Sequence, residues 1–103
     1  MLTRGEVYLL QSDRPVILVS RDAMTASSPV VVVAPVVNHA DWPNVSPGDV
    51  VLRAGAGGLP TESVVLTGQV RAIEKTRLVN RLGQLAPESM AAVEAALRIT
   101  LDL

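Results

Sequence analysis

Arg14 is the residue of this 103-residue chain best placed to do chemistry. It follows Gln11-Ser12-Asp13 and precedes Pro15, between two short apolar segments, Val7-Tyr8-Leu9-Leu10 and Val16-Ile17-Leu18-Val19. So short a connection sets Arg14 at the mouth of a hairpin, with Pro15 fixing the entry to the second strand. A guanidinium held there is permanently charged, and its planar fork of donors matches phosphate oxygens. The alternative is an arginine that closes the turn and points into water. Further candidates follow in a second polar stretch. Asn38 can donate through its amide, His39 can give or take a proton near neutral pH, and Trp42 offers a flat stacking face.

Composition limits what such residues can do. No cysteine is present, which excludes disulfides and thiolate chemistry and fits a reducing compartment, so a cytoplasmic protein is expected. His39 is the only histidine, so a multi-histidine metal site cannot form within one chain, and neither metal nor cofactor is expected. Ten acidic residues against nine basic ones give a net charge of −1, which argues against a surface that attracts nucleic acid as a whole. A local basic patch remains open, since eight of the nine basic residues are arginine. No charged segment followed by a cleavable apolar stretch opens the chain, so no signal peptide is expected. Pro29 to Val37 is too short to span a bilayer as a helix, so no membrane partner is expected.

The elements that must position these residues are mostly strands. Apolar residues make up 49% of a chain with one Trp, one Tyr and no Phe, so the core must be valine, leucine, isoleucine and alanine. Valine favours a pleated surface. The pattern predicts strands over 6–10, 15–20, 30–37 and 50–53. A fifth begins near Ser63 and continues to Ile73 across a kink at Thr67-Gly68-Gln69. Asp22 to Ser28 and Asn38 to Asp49 read as loops, and Gly55, Gly57 and Gly58 as a flexible hairpin tip rather than a phosphate-binding loop. Glu74 to Leu78 reads as one helical turn and Leu82 to Leu85 as a short edge strand. Pro87 starts a helix whose apolar face carries Met90, Val93, Leu97 and Leu101. The expected fold is one mainly β domain over residues 1–103: a small antiparallel barrel with a C-terminal helix, since closure removes exposed edges.

In this order the residues resemble the MazF/PemK (Kid-like) toxins of bacterial type II toxin–antitoxin systems. The matching segments are Arg4-Gly5-Glu6-Val7-Tyr8, Arg14-Pro15-Val16-Ile17-Leu18-Val19-Ser20, Val33-Ala34-Pro35, Ser63-Val64-Val65-Leu66 and Gln69 to Leu78, with the final helix. The resemblance runs colinearly along nearly the whole chain. It implies an SH3-like barrel, a homodimer, and a metal-independent endoribonuclease that cuts short motifs in single-stranded RNA, most often messenger RNA. It also implies a cognate antitoxin whose disordered tail blocks the dimer groove.

Under that resemblance Arg14 takes the place of the catalytic arginine. It would stabilise the charge that develops when a 2′-hydroxyl attacks the adjacent phosphorus. Asp13 would pin Arg14 or supply an acid. Two departures stand out. The loop before the Arg-Pro pair is reduced to Gln11-Ser12-Asp13, and the place of a Thr or Ser phosphate donor reads as Val37. The missing partner would then come from Asn38 or His39 as catalytic residues, or from Ser20 or Thr61. Trp42 would stack on a base, and Arg71 would contact the RNA backbone, as Arg53 and Arg77 could. Two alternatives stay open: a relative that keeps the fold but has lost catalysis, and a CcdB-like toxin that binds DNA gyrase and cuts nothing.

Overall fold

A computed structural model describes residues 1–103. Its longest strand, β3 (Val30–Asn38), is a nearly unbroken valine run, as a strand flanked on both sides requires. On one side it pairs antiparallel with β2 (Pro15–Leu18), Ile17 opposite Ala34. On the other side two short strands share it: β6 (Arg71–Glu74) along Val30 to Val33, and β5 (Ser63–Leu66) along Val36 to Asn38. The break between them is the Thr67–Gln69 3-10 turn, where a kink was expected. Pro35, which has no N–H to give a ladder, lies opposite that break, so neither flanking strand needs a bond from it.

The remaining strands extend the sheet at both ends. β1 (Glu6–Leu10) pairs with β2 and with β7 (Leu78–Gln84), while β4 (Asp49–Leu52) pairs with β5. The hydrogen-bonded path is therefore β4-β5-β3-β2-β1-β7, with β6 attached to β3. The sheet curls until its ends approach. The Ala56–Gly58 turn that joins β4 to β5 packs on β7, and a Cβ added at Gly58 would stand 2.1 Å from the Leu82 carbonyl oxygen. The expected antiparallel sheet with its C-terminal helix is present. The glycine segment, however, is a packed turn with Gly57 buried, not a flexible tip.

Two apolar clusters hold the layers. Val7, Ile17, Ala34, Val36 and Val65 meet Met90, Val93 and Ala96 of the closing helix. Leu10, Val16, Leu18, Val31, Val33 and Ile73 fill the second cluster. Alternate residues of β2 and β3 thus point into different clusters, as the two-residue period dictates. The closing helix is α2 (Pro87–Leu101), with Pro87 in its first turn. Its buried stripe ends earlier than expected: Leu101 is exposed, and Thr100 instead meets the Thr67 hydroxyl at 2.6 Å.

Other boundaries also differ from expectation. Asp22–Ser27 forms a short helix, α1, because its Thr25 hydroxyl is buried against Ser20 and Asp22 accepts the Arg4 N–H at 2.7 Å. β2 ends at Leu18, so Ser20 lies beyond it, and Arg53 likewise lies beyond β4. Glu74 belongs to β6, and the single turn is Lys75–Arg77. β7 begins at Leu78 rather than Leu82 because β1 pairs with its largely exposed first half. No helix is long and apolar enough to cross a membrane.

Charges tie the first strand to its neighbours. Arg4 bonds the Val19 carbonyl through Nε at 3.0 Å and pairs with Glu94 on α2. Glu6 accepts the Thr3 N–H and Arg81 Nε, both at 2.5 Å. Burial pushes the Glu6 carboxyl up, but the bonds from Arg81 and Thr3 and the Arg81 charge outweigh it and hold the group below its ordinary 4.5.

Two stability predictions follow from this packing. Ala at Gly58 must clash with backbone at φ +81°, and should destabilise the fold by about 3 kcal/mol. Ala at Gly55 meets open space and bears only the strain of φ +93°, about 1 kcal/mol. Urea unfolding of both variants measures the contrast. A lowered folded-state value means that Glu6 adds stability above pH 4.5, and that this is lost as pH falls through the folded value. Glu6→Gln should therefore cost roughly 1–2 kcal/mol at neutral pH and flatten the acid side of a stability–pH curve.

Candidate functional site

The β1–β2 connection is a three-residue loop whose shape is set by hydrogen bonds. The Asp13 N–H donates to the Leu10 carbonyl at 2.9 Å, and the Leu10 N–H donates to the Arg14 carbonyl at 2.9 Å. Asp13 takes φ +62°, a left-handed position that Asp tolerates better than most residues and that this loop length requires. Arg14 leaves that turn exposed, and its guanidinium forms no ion pair within the chain. The expected pinning by Asp13 is absent, because the work of Asp13 here is in the backbone.

Arg14 lines a groove of about 410 Å³, and the far end of the β3–β5 ladder lines it as well. Asn38 is paired there with Ser63. The Thr61 hydroxyl donates to Asn38 Oδ1 at 2.7 Å, and the Ser63 hydroxyl donates to the Thr61 carbonyl at 2.8 Å. With its oxygen engaged, the Asn38 side chain turns its NH₂ group to other acceptors. Val37 lines the groove with an apolar surface where a hydroxyl would have supplied a donor. The groove holds one cation, Arg14, beside two carboxylates, Asp13 and Asp41. Such a balance suits one locally held phosphate better than a long polyanion track.

His39 opens a 3-10 turn directly after β3 and lies in an adjoining depression that shares Asn38, Asp41 and Thr61 with the groove. Its Nδ1 stands 2.6 Å from Glu62 Oε1. Trp42 borders the groove with its indole N–H on Asp49 Oδ2 at 3.2 Å, an oxygen that also accepts the Ser46 N–H. Asp13, Arg14, Asn38, Trp42 and Thr61 are thus brought together, with His39 beside them.

Ser20 and Arg71 are not. Ser20 is buried, its hydroxyl 2.8 Å from Thr25 Oγ1 and accepting the Val32 N–H at 3.2 Å. That hydroxyl is occupied by structure rather than offered to a ligand. Arg71 is exposed on β6, opposite Val33, outside the groove. Sequence reading missed Asp41, Asp49, Glu62 and Ser63. The polar 38–49 stretch flagged the first two, whereas the last two depend on the β3–β5 register.

Comparison with known proteins then places the chain. Residues 3–101 match the PemK-like, MazF-like toxins of type II toxin–antitoxin systems, and the chain belongs to that family. It is similar to the endoribonuclease MazF of Staphylococcus saprophyticus, 30% identical over 113 residues that cover 100% of this chain and 93% of the relative. Its fold is similar to a mycobacterial endoribonuclease solved with its cognate antitoxin, with TM-score 0.87, 23% identity, and 100% and 97% of the two chains covered. The Mycobacterium tuberculosis toxin MazF-mt6 is also similar, with TM-score 0.82, 25% identity, and 95% and 97% covered.

The loop geometry is testable apart from function. Asp13→Gly should leave stability unchanged or raise it by up to about 1 kcal/mol, because glycine adopts positive φ without strain. Asp13→Val should lower it by about 1–2 kcal/mol. Denaturant midpoints read both.

Proposed function

We propose that this chain is an endoribonuclease toxin that cuts single-stranded RNA without a metal ion, acts as a homodimer, and is neutralised by a cognate antitoxin. The observation that carries the reading is Arg14, free of any ion pair within the chain, in one groove with the Asn38–Thr61 pair. Family membership and the endoribonuclease name of the Staphylococcus saprophyticus relative support it. The solved complex of the mycobacterial neighbour supports the antitoxin.

In this mechanism a scissile phosphate sits against the Arg14 guanidinium. The 2′-oxygen attacks phosphorus, the 5′-oxygen leaves, and the products are a 2′,3′-cyclic phosphate and a 5′-hydroxyl. Fixed donors help because negative charge grows on the non-bridging oxygens in the transition state. Arg14 supplies the permanent charge, and the Asn38 NH₂ group supplies a second donor. His39 exchanges protons, and Trp42 stacks a flanking base at about 1–3 kcal/mol. Thr61 holds Asn38 in place.

The test is cleavage of a defined single-stranded RNA, with ends mapped by primer extension. Discrete cuts ending in a cyclic phosphate are expected. They should fall about 10²–10³-fold in Arg14→Ala at an unchanged unfolding midpoint, and vanish when a 2′-deoxy nucleotide replaces the attacking one. A wild-type protein that makes no cuts, or an Arg14→Ala protein that cuts as well, overturns the reading. The first result would favour a toxin that only binds, the alternative to which Val37 points.

A further inference from the structure

We propose that Glu62 is the positioning residue that makes His39 the base for the 2′-hydroxyl, an inference that rests on the ribonuclease reading above. His39 directly follows β3, and Glu62 directly precedes β5. The ladder between those strands ends at Asn38 and Ser63, and the His39 N–H extends it by donating to the Glu62 carbonyl at 3.0 Å. Backbone pairing therefore sets the two side chains side by side, and Nδ1 meets Oε1 at 2.6 Å. One residue earlier on β3, Asn38 and Thr61 make a side-chain bond across the same seam.

A carboxylate can only accept, so in the neutral imidazole the bond places the proton on Nδ1 and leaves the Nε2 lone pair bare. A base of this kind needs its other nitrogen fixed by an acceptor. The charged groups in the His39 depression are Glu62 and Asp41, and no cation lies there to compete for the ring. A purely structural role explains the pair less well. The His39 and Glu62 side chains are 29% and 58% exposed, and ion pairs so open to water add little to stability. The same opening leaves the ring open to a substrate, in a depression that shares Asn38, Asp41 and Thr61 with the groove.

The step balances without further reagents. Nε2 takes the 2′-hydroxyl proton as the 2′-oxygen–phosphorus bond forms. The bond from phosphorus to the 5′-oxygen breaks, and that oxygen takes a proton from water. The imidazolium then returns its proton to water.

Two measurements on the full chain test the pair. Because the chain has one histidine, ¹⁵N NMR reads its tautomer without ambiguity. The neutral ring should carry its proton on Nδ1 in the wild type and become a mixture in Glu62→Ala. In single-turnover cleavage, Glu62→Ala should lower the rate at saturating RNA roughly 10-fold with little change in apparent affinity. Glu62→Gln, which keeps an acceptor oxygen, should recover part of that loss. His39→Ala should lose about 10²-fold. A neutral ring protonated on Nε2 in the wild type overturns the pairing. An unaltered rate in Glu62→Ala overturns its part in catalysis. Failure of the wild type to cut overturns the ribonuclease reading, and the role of His39 as base falls with it.

Discussion

β3 is the constraint on which the rest of the molecule depends. It alone hydrogen-bonds to three other strands, and its alternate side chains feed both apolar clusters. A strand so enclosed cannot slip by one residue without turning Val31 and Val33 out of one cluster and Ala34 and Val36 out of the other. The fixed register carries straight to its last residue. Asn38 is both the end of the packed ladder and a wall of the groove, so the precision of the site is inherited from core packing. Pro35 opposite the β5–β6 break shows the same economy, since the one β3 residue unable to donate sits where neither β5 nor β6 pairs.

Charge is divided between structure and site by pairing. Arg4 and Arg81 are committed, one to Glu94 and the Val19 carbonyl, the other to Glu6. Together they fasten β1 to α2, the β2 exit and β7. Arg14 is placed by backbone hydrogen bonds alone, and its guanidinium stays uncommitted. A charge that stabilises the fold must be matched within the fold, while one that binds a ligand must be left for it. Glu6 and Arg14 lie at opposite ends of the same short strand and its turn, one paired within the fold and the other not.

Much of this was legible in the residues. β1, β2, β3 and α2 announce themselves by apolar period and by Pro15 and Pro87, and Arg14 by the shortness of its loop. The kink at Thr67 to Gln69 was readable because turn-formers interrupt an apolar run. What stayed hidden depended on partners distant in sequence. Asn38 and Thr61 lie 23 positions apart, and nothing local states their register. α1 has no capping side chain and is only six residues long, so its helicity depends on contacts with Ser20 and Arg4. Val79, Asn80 and Arg81 are exposed in β7, and only pairing with β1 makes that stretch a strand. The glycine segment misled for a related reason. Glycine signals freedom and close approach alike, and here the close approach of Gly57 and Gly58 to β7 decides.

The placement of Trp42 has an optical consequence. It is the only indole in a chain without phenylalanine, and it stands 36% exposed at the rim of the groove rather than in either core. Intrinsic fluorescence excited at the indole band therefore views the groove more directly than the packing behind it. A base laid on that ring changes the emission directly, so occupancy can be followed with no label. Tyr8, which packs against the second cluster, gives a separate signal from the core. In this molecule the chromophore and the groove coincide.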